Sequence, residues 1–179
     1  PTFVKTGTLQ CDKNSTDPIA GDLIIGDGVG GADADIVFFS LTQIGNLSRV
    51  TINSSGVLRL GADTVGSIEG DGHLEIFNTG QLITGLNNAS TTFAGLISGG
   101  GSLVKRGTGT LTLEGDNTLT GATIVEAGSL IVNGDQDTSD VTVRNGAALG
   151  GRGFVGDLAV ATGANVAPGL SPGILRSRN

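Results

Sequence analysis

Apolar and polar residues alternate along this chain in short bursts. In GTLTLEG (109–115), Leu111 and Leu113 share one face while Thr110 and Thr112 take the other. Each burst is about four to six residues long and is closed by Gly or Asn, the pattern of short strands between tight turns. No window carries the spacing of an amphipathic helix. The punctuation is itself patterned. Gly-x-Leu recurs along the whole chain, for example at 7–9, 21–23, 45–47, 72–74, 101–103, 128–130 and 173–175. Glycine supplies the backbone conformation that a corner needs, and the Leu two residues later opens an inward-facing strand. Strands are expected at 23–25 and at 36–39.

Longer units repeat as well. SIEGDGHLEIFNTGQL (67–82) aligns with LISGGGSLVKRGTGTL (96–111) at an offset of 97 − 68 = 29. FVKTGTLQ (3–10) aligns with IVEAGSLI (124–131). DLIIGDG (22–28), DVTVRNG (140–146) and DLAVATG (157–163) are versions of one strand-and-turn unit, and RVTINSSG (49–56) is a looser one. A sandwich or barrel gives no reason for inexact repeats of this kind. A β-solenoid does, because a single coil cannot bury its own inside face and must stack on the next. With roughly 20–25 residues per coil, the chain makes about seven or eight coils. At about 4.8 Å per rung, that is a rod about 35–40 Å long. The fold class is therefore all-β, a parallel β-helix, with residues 1–179 as one domain.

Composition fits this architecture. The 179 residues include 32 Gly, 6 Phe and no Trp, Tyr or Met, so the interior must be filled by Val, Ile and Leu. The glycines do not fall at every third position and there are only 4 Pro, which excludes collagen. A net charge of −7 with few aromatics argues against nucleic acid as a partner. No apolar run is long enough for a membrane-spanning helix. Cys11 stands alone, so there is no internal disulfide, and it reads as a small half-buried residue. With Pro1 at the start and no Met, the chain reads as a mature or excised piece of a longer precursor.

The stretch TTFAGLISGGGSLVKRGTGTLTLEGDNTLTGATIVEAGSLIVNG (91–134) resembles the autotransporter-associated β-strand repeat of bacterial autotransporter passenger domains. VTVRNGAALGGRGFVGDLAVATGANVAPGLSPGIL (141–175), with its Pro-Gly-x-Ser-Pro-Gly turn at 168–173, is similar to the unit that commonly follows. The match is strongest over 91–175. The resemblance implies a right-handed, single-stranded parallel β-helix exported to the bacterial cell surface or beyond. It also implies a segment of a longer solenoid, with adhesion as an activity and a host surface or extracellular matrix as a partner.

Candidate chemistry is sparse. His73, the single histidine, lies in GDGHLEIF, where alternation puts it outward as a solvated coil residue with no triad around it. One His and one Cys cannot build a zinc set. GDGVGGADADIVFF (26–39) carries Asp27, Asp33 and Asp35. Its GGADAD core resembles part of a calcium-binding nonapeptide, with Asp33 and Asp35 alternating outward and Asp27 folding back. That architecture needs tandem copies, and one is present, so the simpler reading is a loop between two strands. No cofactor is expected; calcium is the alternative.

Asn-x-Ser/Thr sequons at Asn14, Asn46, Asn53 and Asn88 occur close to the frequency chance gives in a chain this rich in Asn, Ser and Thr. Arg176 and Arg178 read as a solvated tail, or as contacts to acidic residues of the next coil or a neighbouring copy. The expected function is a non-enzymatic extracellular stalk, scaffold or adhesin passenger segment. The alternative is a filament in which end rungs stack head to tail through Phe3, Val4, Leu9, Ile174, Leu175, Arg176 and Arg178. A third reading is a carbohydrate-active β-helix that depends on Asp33 or Asp35.

Overall fold

A computed structural model describes residues 1–11, 19–31, 35–39, 43–169 and 173–179. Every strand pairs parallel, and no helix forms among the described residues. The chain winds as a solenoid of about eight turns. The first coil carries β1 (Thr2–Val4) and β2 (Gly7–Cys11), and the second carries β3 (Leu23–Ile25) and β4 (Asp35–Phe39). β5 (Arg49–Ile52) and β6 (Gly56–Val65) follow, then β7 (Ser67–Gly70) and β8 (His73–Thr84). The next coil holds β9 (Thr91–Phe93), β10 (Leu96–Gly99) and β11 (Ser102–Lys105); after it come β12 (Thr110–Leu113), β13 (Thr118–Leu119) and β14 (Thr123–Val125). Then come β15 (Ser129–Val132), β16 (Asp135–Gln136) and β17 (Val141–Val143), followed by β18 (Ala148–Gly151), β19 (Phe154–Val155) and β20 (Leu158–Val160). β21 (Asn165–Pro168) and β22 (Arg176–Ser177) close the winding.

Strands stack into two long faces. Face A runs β1-β3-β5-β7-β9-β12-β15-β18-β21, and face B runs β2-β4-β6-β8-β11-β14-β17-β20. A short third face, β16-β19-β22, is added late. Coil length varies along the chain without a steady trend: Thr2 to Leu23 is 21 residues, Val50 to Ile68 is 18 and Gly70 to Phe93 is 23. Leu23 pairs with Val50, an advance of 27 residues, whereas Leu149 pairs with Val166, an advance of 17. The expected range of 20–25 thus holds only as an average.

The long alignments do not predict register. Ile97 stacks on Leu74 (97 − 74 = 23) and Leu103 on Leu82 (103 − 82 = 21), not at the 29-residue offset. Residues 22–28 lie on face A, while their look-alikes at 140–146 and 157–163 lie on face B and stack on each other. One strand-and-corner grammar serves both faces, so similarity in sequence does not identify which strands are neighbours.

The core is a set of straight columns. On face A, Leu23, Val50 and Ile68 stack, and further along Leu111, Leu130 and Leu149 do the same. All six are buried. Buried Phe39 and Phe93 are among the largest side chains inside. Gly-x-Leu places its Leu inward nearly throughout, but Leu47 is 67% exposed. There Ser48 N–H donates to the Gly45 carbonyl at 2.8 Å, so the tripeptide forms a turn and the strand starts later, at Arg49.

Buried polar side chains tie each coil to the next. Asn117 Oδ1 accepts from Ile97 N–H at 2.7 Å and its Nδ2 donates to the Gly115 carbonyl at 3.0 Å. Asp63 Oδ2 accepts from the N–H groups of Gln43 (2.9 Å) and Ile44 (3.1 Å). Thr123, Gln136 and Ser139 hydrogen-bond to one another inside the wall. Asn117→Ala would leave the Ile97 N–H buried without a partner. Its expected cost is about 2 kcal/mol, read as a lower urea midpoint.

Candidate functional site

The aspartate loop is tied together by a serine. Asp35 opens β4, and its carboxylate is buried rather than outward. Its Oδ2 accepts from Ser55 Oγ at 2.8 Å, while that Oγ accepts from Gly28 N–H at 3.1 Å. Asp27 folds on its own backbone, its Oδ1 accepting from Val29 N–H at 2.8 Å. Asp33 lies outside the described residues. The outward reading of Asp35 is thus corrected. Along β4, Asp35 shares its face with buried Val37 and Phe39, so the strand's own alternation turns it inward, and the neighbouring corner offers the Ser55 hydroxyl to its carboxylate. Among the described residues no three His, Cys, Asp or Glu side chains come together as a metal site would need.

His73 does face outward on β8, but it is half-buried rather than solvated. Its Nε2 lies 2.7 Å from Ser98 Oγ, one coil on. Across face B, Arg59 pairs with Glu75 at 2.9 Å and the Phe38 and Phe77 rings stack at 5.4 Å.

The expected interface residues divide into three kinds. Val4 is buried, and Leu9 and Leu175 pack against the core from partly buried positions. Phe3 and Ile174 are exposed. Arg176 lies on β22, which pairs with β19, and Arg178 is not a solvated tail. Its guanidinium meets Asp140 at 2.7 Å and Asp157 at 3.6 Å, both on earlier coils of the same chain. Of the two acidic partners the sequence offered for this end, another coil or a neighbouring copy, another coil of the same chain supplies the contact.

Sequence reasoning missed Lys105. It occupies an inner position of face B, between Thr84 and Val125, and is 1% exposed. Its Nζ donates to the carbonyls of Arg106 (2.6 Å), Gly107 (3.1 Å) and Ala127 (3.3 Å). Burial pulls its pKa from 10.5 down to about 8. The signal was present in SLVKRG, where strict alternation from Leu103 puts Lys105 inside.

The strands around Lys105 are also where a known repeat family matches. Residues 103–132, from β11 to β15, fit the family model of the passenger-associated-transport-repeat. This is autotransporter passenger sequence. The passenger segment is 45% identical over 93 residues to the adhesin BmaC autotransporter of Brucella suis biovar 1, a match covering 49% of this chain and 3% of BmaC. It is 44% identical over 79 residues to an extracellular serine protease of Serratia marcescens, covering 44% of this chain and 8% of that protein. A protein named "Probable autotransporter YfaL" in Escherichia coli (strain K12) is 33% identical over 171 residues, covering 82% of this chain and 13% of its own. The chain thus spans a small part of each of these relatives. No solved structure matches it significantly. At family level the segment is part of a secreted passenger, displayed at the bacterial cell surface or released beyond it.

Proposed function

We propose that this passenger segment is a non-enzymatic scaffold, a stiff rod that holds other parts of its parent chain away from the cell. The supporting observation is the unbroken core. One cluster of buried side chains runs from Val4 to Val155, and the last winding packs the partly buried Leu158, Val166 and Leu175 against it. Each coil is also tied to the next by side-chain bonds about one coil apart, as with Asn117 and Asp63. The similarity to both an adhesin and a serine protease supports the same reading, because two proteins with different activities share the coil and not the chemistry.

Trypsin tests it. Arg49, Arg59, Lys105, Arg106, Arg144 and Arg152 all lie within the stacked region. Cleavage there requires coils to open together. The isolated chain is expected to keep residues 49–169 intact under native conditions and to hydrolyse neither ester nor peptide substrates. Rapid native-state cleavage after Lys105 or Arg106, or hydrolytic turnover, would overturn the proposal.

A further inference from the structure

Face A is loosened at one place. Elsewhere its neighbouring strands share three or four register pairs, but β7 and β9 share one, Gly70 with Phe93. Two residues before Phe93 on β9, Thr91 stands beside Leu111 of the next strand in the inner column. Between Leu23 and Val166 the inner column is aliphatic except at Thr91, which is half-buried where its column neighbour Leu111 is buried. A polar residue in a core column at the point where the ladder thins is a local departure from the repeat. Such departures concentrate at functional sites.

A shallow cleft opens on the outer surface at this point, and its lining includes Glu69, Ser90, Thr92, Thr110 and Thr112. Glu69 Oε1 accepts from Thr51 Oγ1 at 3.0 Å and faces Arg49 Nη1 at 3.7 Å. An ionised carboxylate has about four acceptor sites, so capacity remains toward the cleft. Ser90 Oγ accepts from Thr110 N–H at 3.0 Å, which leaves its own proton able to rotate outward. The wall therefore offers one carboxylate acceptor surrounded by hydroxyls that both donate and accept, with threonine methyls between them.

We infer that this cleft is a subsite for a neutral sugar ring. Adjacent hydroxyls of a pyranose donate to Glu69 and accept from the threonine and serine hydroxyls, and its C–H faces rest on the methyls. An acidic glycan is disfavoured by Glu69 and by the chain's net charge of −7. The cleft has a single carboxylate, too little charge for a divalent cation. No aromatic ring lines it, so one subsite binds at the millimolar level and gains avidity only through many copies on a surface.

The test is an amide-shift titration of the isotope-labelled 179-residue chain with lactose, maltose, diacetylchitobiose and sialyllactose. At least one neutral sugar is expected to move the Glu69, Ser90, Thr92 and Thr112 amides saturably, and sialyllactose to bind more weakly than lactose. Glu69→Gln keeps the fold, because the side chain is part-exposed, and is expected to weaken the neutral sugar about tenfold. No saturable shift with any neutral sugar, or equal affinity in Glu69→Gln, overturns the proposal. The outcome is independent of the scaffold reading: a trypsin-resistant rod without sugar shifts keeps that reading and loses this one.

Discussion

Gly95→Ala is expected to destabilise the chain by about 3 kcal/mol or more, or to prevent folding, while Gly31→Ala stays within about 0.5 kcal/mol of the parent. The reason lies in how coils touch at their corners. A Cβ on Gly95 would stand 1.8 Å from the Gly72 carbonyl oxygen of the coil before it. The same clash recurs along the corner: Gly115 against Gly95 at 2.2 Å, Gly134 against Gly115 at 2.3 Å, and Gly153 against Gly134 at 2.0 Å. The obstructing atom is backbone in each case, so no rotamer change relieves it. A methyl group must push two rungs apart and break the ladder on both faces. Among the described residues nothing lies within 4 Å of a Cβ placed on Gly31, and its φ is not positive. Urea unfolding of the two variants beside the parent chain decides the matter. Equal midpoints would show that the corners can separate without cost.

Lys105 carries the second large effect. Its folded pKa of about 8 lies below the ordinary 10.5 because burial disfavours the ammonium. Between those values the unfolded chain holds more protons than the folded one, so stability rises with pH across that window. The penalty is fully present below pH 8 and fully relieved above pH 10.5. The rise amounts to at most about 3 kcal/mol. Lys105→Met keeps a long side chain in the column and removes the titrating group. Its stability is expected to follow the same profile as the parent minus this rise. Other groups titrating nearby in pH contribute equally to both chains, so the difference between the profiles isolates Lys105. Parallel profiles from pH 7 to pH 11 would mean that the three carbonyls around Nζ compensate the charge fully.

The two effects show what could and could not be read in advance. Gly-x-Leu announced corners and inward Leu correctly for Leu58, Leu74, Leu82, Leu103, Leu111 and Leu130, all buried. Leu47 broke the rule because its tripeptide closes a turn, and only the Gly45 to Ser48 hydrogen bond reveals that. Alternation placed His73 outward but could not supply Ser98, which lies a coil away. Asp35 was read outward from its spacing to Asp33, whereas its spacing to buried Val37 and Phe39 turns it inward, where a serine on the following coil holds the carboxylate. Arg178 looked like a free tail because its partners, Asp140 and Asp157, are distant in the chain.

Sequence by itself determined the element type, the inward and outward phase of most strands, the stacking of coils and the passenger family. These follow from local periodicity and from which residues tolerate a corner, both short-range properties. Tertiary structure alone decided which unit stacks on which, where the ladder thins, and what each buried polar group bonds. Those depend on the exact number of residues in each coil, which varies between 28 (Gly7 to Asp35) and 16 (Val57 to His73). A change of one residue in that number reassigns every cross-coil neighbour beyond it, and no local pattern records the running total.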